Sequence, residues 1–118
     1  MTFPRRGDVY LVEFDPARGH EIKKARPALV VQNDIGNEYS PITIVAAITS
    51  KVSPTPYPVE VVIIASKGNG LSVQSAIRLS QIRSVDRERL VKRLGALDTA
   101  ALHKVDQALR ISLGLIDF

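Results

Sequence analysis

Apolar positions in this chain come mostly as short alternating or continuous runs, and a helical period enters only near the C-terminus. Residues 7–14 alternate, with Val9, Leu11 and Glu13 against Tyr10, Val12 and Phe14. β-branched and aromatic types dominate, which predicts a first strand. Asp15-Pro16 breaks it. Residues 15–25 have no period and carry Arg18, Gly19, His20, Lys23 and Lys24 against Asp15 and Glu21, as a basic surface loop would. Residues 27–32 predict a second strand, apolar on both faces from Ala28 to Val31 like a strand covered on both sides. Pro27 has no N–H and suits the first residue of a strand. It also biases Arg26 towards extended backbone, at the mouth of that strand.

Asn33-Asp34, Gly36-Asn37 and Ser40-Pro41 mark a turn region. Residues 42–48 predict a third strand, ending in Thr49-Ser50-Lys51. Alternate prolines at 54, 56 and 58 exclude a central strand from the next segment, and residues 59–64 predict a fourth strand. Lys67-Gly68-Asn69-Gly70 is a turn signal. Residues 71–82 hold a fifth strand centred on Ala76-Ile77-Arg78-Leu79. Asp86 can cap a short helical turn over residues 87–90, and residues 91–97 form a last short strand. Asp98 then caps a helix from Thr99 to about Leu113. Leu102, Val105, Leu109 and Leu113 fall on one face of it, flanked by Ala101 and Ala108, while Lys104, Asp106, Gln107 and Arg110 face water. Short strands followed by one helix predict a mainly β fold, a small curled barrel with a C-terminal helix packed on it.

Length sharpens this to a single domain over residues 1–118. Cysteine is absent, so disulfides and thiolate chemistry are excluded. No apolar run approaches the ~20 residues of a membrane helix. The basic N-terminus is not followed by an apolar stretch. A cytoplasmic protein without membrane contact is the expectation. Sixteen Lys and Arg against twelve Asp and Glu leave a charge of +4, which points to an anionic partner only if the cations cluster.

Candidate chemistry is narrowed by elimination. His103 sits mid-helix without an acidic or His partner at the next turn, and the acidic residues form no ligand-spaced cluster, so no metal site is expected. Gly68-Asn69-Gly70 lacks the Lys-Ser/Thr and helix of a phosphate loop. No Gly-x-Ser-x-Gly elbow is present. What remains is a set of cations and hydroxyls at strand ends: Arg26 beginning the second strand, Thr49 and Ser50 closing the third, His20 in the basic loop, Arg78 and Gln81 on the fifth. Such groups suit stabilisation of charge on a phosphate. Cleavage of RNA by its own 2′-hydroxyl needs neither a metal nor a protein nucleophile, only positioning, neutralisation and two proton transfers. His20 is the loop group whose reference pKa lies near neutrality. Taken singly, each of these residues fits ordinary surface chemistry as well.

Several blocks in one order carry a resemblance. They are Arg6-Gly7-Asp8-Val9-Tyr10, Gly19-His20-Glu21, Arg26-Pro27-Ala28-Leu29-Val30-Val31, Ile48-Thr49-Ser50, Gln81-Ile82-Arg83-Ser84-Val85-Asp86 and Ser112-Leu113-Gly114-Leu115-Ile116. With them the chain resembles the MazF/PemK family of toxin endoribonucleases from toxin–antitoxin systems. The resemblance implies an SH3-like β-barrel of the PemK/CcdB kind, a homodimer, and no cofactor. It implies metal-independent, sequence-selective cleavage of single-stranded mRNA, leaving 2′,3′-cyclic phosphate and 5′-hydroxyl ends. It also implies an antitoxin with a flexible acidic tail. Arg26 and Thr49 match the family's central catalytic pair, and His20 a histidine that some members use. Lys23, Lys24, Ser50, Arg78 and Gln81 are then expected to bind substrate. Arg78 matches an Arg that in some members precedes an Asp by two residues, but here Ser80 stands in that place, which leaves His20, Arg26 or water to carry protons. Two other classes stay open at this point: a non-catalytic CcdB-like toxin that binds a protein such as DNA gyrase, and a plain oligomerisation domain.

Overall fold

The computed structural model describes residues 2–14 and 25–117. Six strands, β1 (Asp8–Glu13), β2 (Ala25–Val30), β3 (Ile42–Thr49), β4 (Glu60–Ile63), β5 (Ser75–Asp86) and β6 (Leu90–Ala96), form one sheet of antiparallel neighbours in the order β4-β5-β3-β2-β1-β6. A short helix α1 (Asp34–Tyr39) joins β2 to β3, and α2 (Thr99–Ser112) follows β6. The mainly β class with a C-terminal helix is the one expected. Its hydrogen-bonded ladder is open, with β4 and β6 as the outer strands, so the small curled barrel that was expected is not closed by hydrogen bonds among the described residues.

Two apolar clusters use the two faces of this sheet. Alternation along β2 sends Leu29 to one and Ala28 and Val30 to the other. The larger cluster gathers Val9, Leu29, Ile77 and Leu79 under Val105 and Ala108 of α2. The smaller contains Val12, Ala28, Val30, Val45 and Val85, with Tyr10, Phe14 and Leu90 packed on it and no residue of α2. Full burial of Val105 contributes roughly 1.5–3 kcal/mol to holding the helix down. Asp98 caps α2 through Ala101 N–H at 2.8 Å. The turn before β5 packs tightly on β6: a Cβ at Gly95 would fall on the carbonyl of Gly68.

Several boundaries differ from expectation. The segment read as turns contains α1, capped by the Asn33 side chain. Buried Asn37 anchors it, donating to Gln32 O at 2.9 Å and accepting from Thr43 Oγ1 at 2.7 Å. β2 starts at Ala25, so Pro27 lies inside the strand, yet β2 pairs with β3 only from Ala28 onward and Pro27 has a strand neighbour on one side only. β5 runs on to Asp86, and β6 begins at Leu90 after a 3-10 turn, Arg87–Arg89, capped by Asp86. Asp106 does not simply face water, because it is ion-paired to Arg6 at 2.7 Å. Arg6 Nε also donates to Val31 O, tying the N-terminus, β2 and α2 together. Leu113 lies past the end of α2 and is 55% exposed.

Candidate functional site

A cleft of about 480 Å³ opens where β2, β3 and β5 meet the segment before β5. Arg26, Thr49, Ser50, Lys51, Ser72, Ser75, Arg78 and Gln81 supply its polar groups, with Pro27, Ile48, Leu71 and Val73 among its apolar walls. The cations are Arg26, Lys51 and Arg78, and no carboxylate lines the cleft among the described residues. Five of the eight expected site residues, Arg26, Thr49, Ser50, Arg78 and Gln81, therefore converge. His20, Lys23 and Lys24 lie outside the described residues. Lys51, Ser72 and Ser75 were not foreseen.

Strand register explains the convergence. Ala28 pairs with Ala47, and carrying that register on by two residues sets Arg26 opposite Thr49. Ala47 pairs in turn with Arg78, and Thr49 with Ala76. Cross-strand partners direct side chains to the same face. Arg26, Thr49 and Arg78 thus share the face that α2 does not cover. Regular alternation would put Gln81 on the other face from Arg78. A break in the β3/β5 ladder prevents this: the neighbours Ala46 and Ala47 pair with Ile82 and Arg78, so residues 79–81 form a bulge. A bulge re-aims side chains, and here Gln81 joins Arg78 in the cleft.

The hydrogen bonds at the site leave several donors unused among the described residues. Thr49 Oγ1 accepts from Lys51 N–H at 3.1 Å, which leaves its own proton to donate. The Arg26 guanidinium has no hydrogen-bond or ion-pair partner among the described residues. Arg78 donates through Nε to Glu60 Oε2 at 3.1 Å, leaving its outer N–H groups available. Glu60 was not foreseen. Its only signal in the sequence is that it is the one charge in the run of residues 59–64. Arg83 does not line the cleft; its guanidinium lies over the Phe14 ring, 5.2 Å from the centroid.

Other places carry less chemistry. A cleft of about 490 Å³ between β4 and α2 offers Lys104 and Asp98, but the Asp98 carboxylate already caps the helix. Among the described residues no three His, Asp or Glu side chains converge as metal ligands would.

A PemK-like, MazF-like toxin model of type II toxin–antitoxin systems matches residues 5–113. This chain belongs to that family. Endoribonuclease EndoA of Bacillus subtilis (strain 168) is 48% identical over 114 residues, covering 97% of each chain. The crystal structure of MazF (Form-I) from Deinococcus radiodurans is 28% identical, with a TM-score of 0.75, over 97% of this chain and 99% of that one. A MazE–MazF structure (Form-II) from the same organism is also 28% identical, with a TM-score of 0.78, over 96% and 97%. The PemK/MazF match covers the cleft residues from Arg26 to Gln81, so the site described above lies within the family domain. A CcdB-like gyrase poison is not the reading these relatives favour.

Proposed function

We propose that this PemK/MazF-family toxin is an endoribonuclease whose cleavage site is the cleft between Arg26, Thr49 and Arg78. Convergence of Arg26, Thr49 and Arg78 from three strands, with Lys51 beside them and no carboxylate in the lining among the described residues, is the observation that carries the reading. A phosphodiester of single-stranded RNA fits such a site because its non-bridging oxygens accept from guanidinium and hydroxyl groups. The 2′-hydroxyl of the RNA attacks the adjacent phosphorus, the bond to the 5′-oxygen breaks, and a 2′,3′-cyclic phosphate and a 5′-hydroxyl result. One proton leaves the 2′-oxygen and one reaches the 5′-oxygen. Arg26 and Arg78 offset the charge that grows on the phosphoryl oxygens, and Thr49 donates a hydrogen bond to one of them. His20, Arg26 or water carries these protons, and Lys23 and Lys24 are assigned to backbone phosphates of the RNA. Ser50 and Gln81 contact the nucleotides that flank the scissile bond.

The relatives support the assignment: EndoA is an endoribonuclease, and the Deinococcus MazF forms a complex with MazE. By the same likeness the chain works as a cytoplasmic homodimer restrained by an antitoxin, whose acidic tail would compete with RNA phosphates for the cations of the cleft. Among the described residues no helix is long and apolar enough to cross a membrane. End mapping on one long RNA tests the reaction. Cyclic phosphate and 5′-hydroxyl ends at a recurrent short sequence are the expected products. 5′-Phosphate ends would contradict it.

A further inference from the structure

We propose that Glu60 is a positioning residue for this reaction, holding Arg78 so that the outer edge of its guanidinium meets the RNA phosphate. The proposal rests on the reading of the cleft as the cleavage site. Glu60 opens β4, an outer strand, where a carboxylate can readily turn to solvent. Instead its side chain is only 8% exposed. It stands directly across the β4/β5 ladder from Arg78, so both side chains emerge on one face. Oε2 accepts from Arg78 Nε at 3.1 Å, and Oε1 accepts from Tyr57 N–H at 3.4 Å. Glu60 N–H donates back to Tyr57 O at 2.8 Å. The carboxylate is thus held by the end of the proline-rich loop on one side and holds Arg78 on the other.

The arrangement suits orientation more than proton transfer. Glu60 lines a smaller hollow of about 250 Å³ with Ser53, Tyr57 and Ser80, and only Arg78 and Gln81 are common to that hollow and the cleft. The carboxylate therefore meets Arg78 from outside the cleft. A guanidinium is a rigid planar fork, so fixing Nε fixes the direction of the remaining donors. Ser80, the residue two places after Arg78, makes no hydrogen bond to it among the described residues, and the anchoring carboxylate comes from the neighbouring strand instead. A side chain oriented in advance loses less freedom when the phosphate arrives, and small misplacements at a reacting centre are costly in rate.

The test combines Glu60→Gln, Arg78→Ala and the double variant, with Glu60→Asp measured alongside as a form that keeps the charge. Glu60→Gln keeps the shape and an oxygen for Tyr57 N–H. Single-turnover rate, apparent KM, thermal midpoint and the Nε–Hε NMR resonance of Arg78 are read on each. Losing the anchor should lower the rate about tenfold and leave KM within about twofold, while losing Arg78 should cost about 10²-fold. The double variant should match Arg78→Ala within about twofold, because Glu60 acts through Arg78. The Arg78 Hε resonance should shift in Glu60→Gln, and Glu60→Asp, which keeps the charge, should retain more of the rate than Glu60→Gln. Wild-type rates in Glu60→Gln and Glu60→Asp would overturn the proposal, as would an equal loss with and without Arg78. Full rate in the Glu60 variants with Arg26→Ala and Thr49→Ala inactive removes the Glu60 role alone. A folded protein that leaves RNA intact in every form removes the reading of the cleft as well.

Discussion

Arg26 and Thr49 line one cleft, each two residues beyond the last paired positions of the β2/β3 ladder, Ala28 and Ala47. Both strands still run there, but the ladder has stopped. The two side chains therefore sit on firm backbone at the edge of a space that a substrate can enter. Thr49 accepts from Lys51 N–H, which leaves its hydroxyl proton available to donate. Thr49→Ala removes that donor and should slow cleavage about 10²-fold, whereas Thr49→Ser should retain most of the rate. Single-turnover kinetics on all three forms decides this. Equal rates for Thr49→Ala and wild type would mean that the hydroxyl is not used.

Salt dependence reports the number of phosphates held. Each contact with a single strand contributes a slope of about −0.7 in log affinity against log salt. Lys51 lines the cleft and is exposed, so Lys51→Gln should flatten the slope by about that amount without unfolding the protein. Binding of an intact RNA to the Thr49→Ala form measures it. An unchanged slope would place Lys51 off the RNA path.

Much of the strand pattern was legible because β-branched alternation is a local signal: β1, β3 and β4 fall close to where the residues put them. α1 was not legible. It is six residues long, contains Gly36 and Asn37, and is held by tertiary hydrogen bonds of Asn37 that no local pattern announces. The expected fifth strand stops at Ile82, four residues short of the end of β5 at Asp86, because Arg83 and Ser84 are exposed polar residues. In the site, Arg26 and Thr49 were visible as strand-end residues beside a proline and a basic segment. Glu60 was hidden because its role depends on a partner eighteen positions away, set by the β4/β5 register. Asp106 was misjudged for the same reason, since Arg6 lies a hundred positions away.

Tyr10 gives a pH signature of the fold. Burial raises the pKa of its phenol, Asp8 adds to the effect, and Arg93 and Arg87 oppose it. A raised value means that the folded state holds the proton more tightly than the unfolded chain. This contribution is complete below the ordinary tyrosine pKa of about 10 and is lost as pH rises through the folded value. Urea midpoints should therefore fall through that alkaline window, and Tyr10→Phe should fall less. Parallel curves for the two proteins would show that Tyr10 is not the group responsible.

The central claim is that the Arg26 cleft is where RNA is cut, by a reaction that draws its nucleophile from the RNA. Arg26 is exposed and makes no hydrogen bond or ion pair among the described residues, so its loss should leave the fold intact. The most direct measurement is single-turnover cleavage of a long RNA in excess EDTA by wild type and by Arg26→Ala, with thermal midpoints taken on both. Full wild-type activity in EDTA is the predicted result, with a loss of roughly 10²–10³-fold in an Arg26→Ala protein of unchanged midpoint. Near-normal cleavage by folded Arg26→Ala, or strict dependence of the wild type on added Mg²⁺, would contradict the account.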